Sequence, residues 1–218
     1  LQNKISKYFS ENGDWDQPEF KSQGSFPTQT NINPIIQYDE DGNSLEEYDL
    51  DLGVYFTCPV SDRESEKVYH NRVLEAVQGH AKSEEDKPTC IRVIYADGHH
   101  IDLPIYWKSS ENATPMLANT KGGYSESDPV AFREWLDLEI DSTTVPGLLR
   151  RTVRYLKGWK DYREDEDCDL ELPSGFLLTV LVSDELSEDD CDDVALVDTV
   201  QDIVNRLEKD FRCYRPTV

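Results

Sequence analysis

The chain has 218 residues, with 45 Asp or Glu against 22 Lys or Arg, and a formal net charge of -23. Phosphate contacts to nucleic acid draw on Lys and Arg, so this surface excludes long DNA or RNA as a partner, while a small nucleotide whose charge a metal offsets stays compatible. No apolar run approaches the roughly 18–20 residues of a membrane span, no basic-then-apolar secretory signal opens the chain, and no internal repeat is visible.

Leu1, Ile5, Tyr8 and Phe9 recur at helical spacing and predict a short amphipathic helix ended by Asn12-Gly13. The polar residues 22–33 read as a loop, and Asp41-Gly42 as a turn. The run Tyr-Asp-Leu-Asp-Leu-Gly-Val-Tyr-Phe follows over residues 48–56. Read as a strand, it puts Asp49 and Asp51 on one face and Tyr48, Leu50 and Leu52 on the other. A helix is expected over 64–81, with Tyr69, Val73 and Val77 on one stripe. Two strands should follow, over 90–95 and 100–107, joined by a hairpin at Asp97-Gly98. Pro104 lacks a ladder donor and predicts an edge strand or a bulge. His99 and His100 read as surface or loop residues, and Trp107, Trp135 and Trp159 as core anchors.

From Ser127 the pattern turns helical, with expected helices over 130–138, 145–162, 172–186 and 194–211. Leu149, Val153 and Leu156 should face inward. Residues 163–171 and 187–193 are acid-rich and read as solvated loops. The chain thus divides into an α/β part over 1–126 and a helical part over 127–218, an α+β architecture. The cysteines Cys58, Cys90, Cys168, Cys191 and Cys213 are odd in number and form no C-x-x-C pair. That argues against a disulfide framework or structural zinc and favours a reducing cytoplasm.

Asp49, Asp51 and Asp102 carry the chemistry. A D-x-D pair is weak evidence in a chain this acidic. Its weight comes from a third acid, Asp102, framed by Ile101 and Leu103 in a second apolar strand, and from the turn Gly24-Ser25, where backbone amides can approach a phosphate. Acids this close repel one another unless a cation lies between them, and hard divalent ions prefer oxygen ligands. Two such ions about 3.5–4 Å apart serve many polymerase-type sites. Together these features describe a nucleotidyltransferase site. On the helix over 145–162, Arg150, Arg154 and Lys157 fall near one face, a positive surface suited to polyphosphate. Phosphate contact is the preferred role for Lys157, and ordinary surface pairing for Arg150 and Arg151. Ser174, after Pro173, stands at an expected helix start, where it suits either an N-cap or an anion site.

Several motifs occur in one order along the chain: Gln-Gly-Ser-Phe over 23–26, the run over 48–56, His-Ile-Asp-Leu-Pro-Ile-Tyr over 100–106, Ser127-Asp128-Pro129 with Phe132 and Trp135, Arg-Tyr-Leu-Lys-Gly-Trp over 154–159, and Leu-Pro-Ser-Gly over 172–175 with Leu178-Thr179. In these the chain resembles the bacterial cGAS/DncV-like nucleotidyltransferases, the signal-producing enzymes of CBASS anti-phage systems. The resemblance implies a polymerase-β-like lobe, a mixed sheet with flanking helices, and an α-helical lobe, with the active site in a cleft between them. It implies metal-binding roles for Asp49, Asp51 and Asp102, and phosphate-holding roles for Gly24, Ser25, Lys157 and Ser174. The cofactor expected is Mg²⁺ or Mn²⁺, two ions. The substrates expected are nucleoside triphosphates, ATP among them, joined into a cyclic di- or trinucleotide with release of pyrophosphate.

Such relatives extend beyond the position of Val218, so the helical lobe is expected to be C-terminally incomplete, and the Leu1 start suggests a truncated N-terminus. An operon-encoded regulatory or conjugating protein is a candidate partner; duplex DNA and membrane are not. Two rival readings are transfer of nucleotides to RNA or protein, and a non-catalytic nucleotide-binding module.

Overall fold

The computed structural model describes residues 1–13, 15–38, 44–45 and 49–217. The Asp41-Gly42 turn and Tyr48 lie outside the described residues. Two compact units are formed, one from 1–26 with 36–129 and one from 27–35 with 130–218.

The first unit is built on a mixed sheet. Its strands are β1 (Glu19–Gln23), β4 (Asp49–Thr57), β5 (Ser83–Asp86), β6 (Cys90–Ile94), β7 (His100–Lys108), β8 (Met116–Asn119) and β9 (Gly123–Glu126), and a separate two-stranded ribbon joins β2 (Gln37–Tyr38) to β3 (Ser44–Leu45). The main order is β1-β4-β7-β6-β5, with β8 pairing the far end of β7. The strands β4 and β7 run parallel, and the others pair antiparallel. A parallel pair needs a crossover, and the helix α2 (Glu66–Val77) lies within it. This helix and α1 (Gln2–Glu11) are both amphipathic, and their buried residues join the core formed by one sheet face. That core gathers Ile5 and Phe9 of α1, Tyr69, Val73 and Val77 of α2, Val54 and Phe56 of β4, Leu103, Ile105 and Trp107 of β7, and Ile91 and Val93 of β6.

Three expectations change. Pro104 does not mark an edge, because β7 is an interior strand between β4 and β6. The strand accommodates it because the β4–β7 pairing breaks after Asp51↔Asp102 and resumes at Val54↔Ile105, leaving Pro104 in the gap. His100 is buried rather than superficial. Trp159 is 48% exposed, so it is no core anchor, whereas Trp107 is buried.

The second unit contains α3 (Pro129–Ser142), α4 (Leu148–Glu166), α5 (Gly175–Glu185) and α6 (Asp192–Lys209). Leu136, Ile140, Leu149, Val153, Leu156, Leu178, Leu181 and Ile203 form its core. Leu178 to Val182 are all buried in succession, as befits a helix with neighbours around it, and α5 packs on both α4 and α6. Residues 27–35 cluster with these helices. All five cysteines are free. Among the described residues, no helix is long and apolar enough to cross a membrane.

Candidate active site

Because apolar residues on β4, β7 and β6 turn to the helices, the alternate residues share the opposite face. Registers across these strands then align one polar row: Gln23 opposite Asp51, Asp51 opposite Asp102, Asp102 opposite Arg92, and Arg92 opposite Glu85. A neighbouring row sets Asp49 opposite His100. The three aspartates singled out from sequence therefore lie on one sheet face, at the ends of two parallel strands.

Each carboxylate has a distinct environment. Asp102 is held by Arg92 in a two-pronged ion pair, with Nε donating to Oδ1 and Nη2 to Oδ2, each at 2.8 Å. Asp49 is mostly exposed and pairs with the His100 ring. Asp51 has neither such partner. Burial pushes its carboxyl up to about 6, the charges of Asp102 and Asp49 push in the same direction, and Arg92 opposes them. The Cys90 thiol, a further neighbour on this face, is pushed up to about 12, first by burial and then by Asp102. It is a neutral thiol at ordinary pH. Arg92, His100 and Cys90 escaped the sequence reading of the site. Only the β6–β7 and β4–β7 registers bring them to the acids.

The Gly24 turn completes this end of the sheet. Gly24 has φ +74°, and a Cβ there would run into the Asp51 carboxylate. Glycine is thus required twice, by the backbone and by the closeness of the acid. Just before it, Gln23 is buried, donating to the Tyr106 hydroxyl at 3.2 Å and accepting from Tyr55 at 3.4 Å. The Tyr55 and Tyr106 rings stack with centroids 4.6 Å apart. A side chain at Gly53 would meet Tyr55 at 2.6 Å and Gln23 at 2.7 Å, so the two aromatics and the glutamine close the floor beside the acids.

Within the second unit, Lys157 lies against Gly175, the residue after Ser174, at the start of α5. A Cβ on Gly175 would lie 3.0 Å from Lys157 Cε. Lys157 Nζ donates to the Thr30 carbonyl at 3.2 Å and the Thr30 hydroxyl at 3.1 Å. Burial brings this ammonium down to about 8, against the pull of Asp161. Ser174 is the N-cap, accepting from the Leu177 amide at 3.2 Å. A half-buried cation beside free helix amides is chemistry that attracts an anion. Arg150 and Arg151 do otherwise. Arg150 is paired with Asp137 and the Thr28 carbonyl, and Arg151 bridges to both oxygens of Asp192.

The chain is similar to known proteins over the stretch that carries these residues. The model of the family described as "Cyclic GMP-AMP synthase DncV-like, nucleotidyltransferase domain" matches residues 18–106, the stretch that carries Gly24, Ser25 and all three acids. Residues 18–106 are thus similar to the DncV-like nucleotidyltransferase domain. A cyclic GMP-AMP synthase of Escherichia albertii is 28% identical across 87% of this chain, which spans 42% of that relative. The Bradyrhizobium diazoefficiens CD-NTase CdnG, solved with GTP, superposes with a TM-score of 0.71 at 11% identity, covering 95% of this chain and 70% of that one. Vibrio cholerae DncV with the linear intermediate 5′ pppA(3′,5′)pG gives a TM-score of 0.64 at 26% identity, covering 89% of this chain and 52% of that one. The fold is that of the polymerase-β-like nucleotidyltransferases, a mixed sheet with flanking helices together with a helical unit. The chain accordingly spans about half the length of the DncV-type relatives it matches.

The domain's donor set suits a hard divalent cation. It offers carboxylate oxygens, and the proton affinity of Asp51 is raised first by burial and then by the charges of Asp102 and Asp49, a repulsion that a cation relieves. The set is not preassembled: among the described residues, no three His, Cys, Asp or Glu side chains stand gathered for a metal. Arg92 closes Asp102 and His100 engages Asp49.

Proposed function

We propose that the protein is a metal-dependent nucleotidyltransferase that joins nucleoside triphosphates, ATP among them, into a cyclic di- or trinucleotide with release of pyrophosphate, in anti-phage signalling within the cytoplasm. The observation that carries this reading is the pairing of Asp51 with Asp102 across parallel strands, with the Gly24 turn packed onto Asp51. The E. albertii relative supports it, being a cyclic GMP-AMP synthase.

Asp49, Asp51 and Asp102 would hold Mg²⁺ or Mn²⁺, in two positions. Ions bound there supply charge neutralisation at the reacting phosphate and the departing pyrophosphate. Asp102 receives the proton of the acceptor ribose hydroxyl, which raises that oxygen's nucleophilicity. The Gly24-Ser25 turn orients the donor triphosphate through backbone amides and the Ser25 hydroxyl. Lys157 and Ser174 bind polyphosphate oxygens at the start of α5, one by charge and one at the helix terminus. A regulatory or conjugating protein encoded beside this one is the partner this reading implies.

The test is incubation of the protein with all four ribonucleoside triphosphates and Mg²⁺ or Mn²⁺, followed by mass analysis of products. A cyclic product is expected, and Asp49→Ala with Asp51→Ala should abolish pyrophosphate release while the circular-dichroism spectrum is kept. Persistent product formation in that double variant refutes the assignment. A purely linear product, or label transferred to an added RNA or protein, points instead to transfer onto a separate acceptor.

A further inference from the structure

We propose that Arg92 is an internal counter-cation that competes with the divalent metal for Asp102, and that Glu85 receives its guanidinium when the metal binds. This inference rests on the reading of Asp102 as a metal ligand. Arg92 engages both oxygens of Asp102 at 2.8 Å, the strongest geometry open to that pair. The carboxylate is only 17% exposed, so the pair sits in a partly desolvated setting, where charge acts at longer reach than in water. A divalent ion on the same oxygens would face the guanidinium's positive charge directly. Either the arginine moves or the metal binds weakly.

The sheet register provides a place to go. Glu85 on the edge strand β5 is directly opposite Arg92 and on the same face, as Asp102 is on the other side. Arg92 is thus flanked in one row by two carboxylates. Glu85 already pairs with Lys87 at 2.7 Å, and its carboxyl is held below the ordinary range chiefly by Lys87, with Arg92 adding to the effect. It therefore remains charged and able to accept the guanidinium. Its exposure lets the displaced arginine regain water on that side. One sheet row would then exchange one cation for another: Arg92 on Asp102 without metal, and Arg92 on Glu85 with it. Between its uses the Asp102 carboxylate stays neutralised.

The experiment is Mn²⁺ binding to the full chain without nucleotide, with free Mn²⁺ read by its electron paramagnetic resonance signal. Arg92→Gln should tighten Mn²⁺ binding roughly five- to tenfold by removing the competitor, and Arg92→Lys should fall between it and the wild type. Glu85→Gln should weaken binding severalfold, because the displaced arginine loses its second partner. This variant lies on an exposed edge strand and decides the matter even if Arg92→Gln fails to fold. Unchanged or weaker binding in a folded Arg92→Gln, or unchanged binding in Glu85→Gln, overturns the inference. Wild-type binding that survives Asp51→Asn and Asp102→Asn instead overturns the metal reading itself, a distinguishable result.

Discussion

A carboxyl that is buried beside two others, as Asp51 is, keeps its proton longer than a free aspartate does. Between the ordinary 3.8 and about 6, the folded chain binds a proton that the unfolded chain has released, so folding stability falls as pH rises through that window. Asp51→Asn removes this penalty. With a chelator present, the variant should melt above the wild type at pH 7, and the gap should close as pH approaches 4; thermal melts across that range check it. Lys157 has the opposite character. Its charge is present below about 8 and lost above, so the triphosphate attraction proposed for it should fade at alkaline pH. The wild-type KM for nucleotide should then rise above pH 8, while Lys157→Arg, which stays charged, should show a flat profile. Equal slopes would remove Lys157 from polyphosphate binding. The sequence pointed to Lys157 by its place among cations on one helix; its actual partner, Thr30, lies far back in a polar loop that no periodicity marks.

Among the elements, β4 and β7 carry the site because alternation and parallel register act together. Alternation is local, and the run over 48–56 displays it openly: Leu52 and Val54 belong to consecutive residues of one kind of parity only when read in steps of two, so the acids at 49 and 51 had to share a face. Parallel register is not local. An edge strand or a bulge was expected at Pro104; the edge did not follow because a strand's neighbours are chosen by distant segments, and an interruption in the β4 ladder leaves room for a residue without an amide hydrogen. Helix ends matched less closely than the strands over 90–95 and 100–107, with the helix expected from 172 beginning at Gly175, after the Ser174 cap. Ser174 is an N-cap in fact, so its proposed phosphate role needs separating from capping. Ser174→Ala should cost about 1 kcal/mol of stability and raise the nucleotide KM, whereas Ser174→Asp should keep the cap yet raise the KM further through like-charge repulsion. Melting temperature and KM measured on both variants resolve the two roles; a KM unmoved in both leaves Ser174 as a cap alone.

For the chain as a whole, the net charge of -23 weighs on every encounter with an anion. Duplex DNA added at physiological salt should give no mobility shift and no change in nucleotide turnover, while the proposed triphosphate substrate should bind with Mg²⁺, which offsets its charge. A DNA-dependent rise in turnover would contradict this. Composition and residue pattern alone were enough for the α+β class, for the parity of Asp49 and Asp51, for the inward stripe of Leu149, Val153 and Leu156, and for the glycine turn at Gly24, because each follows from a period or a backbone constraint spanning a few residues. Folding in space was needed to reveal that Arg92 grips Asp102, that His100 is buried against Asp49, that Gln23 ties Tyr55 to Tyr106, and that Trp159 stands in solvent. Those contacts join segments brought together by strand order and packing, and a residue's own neighbourhood in the chain holds no record of which remote side chain will face it.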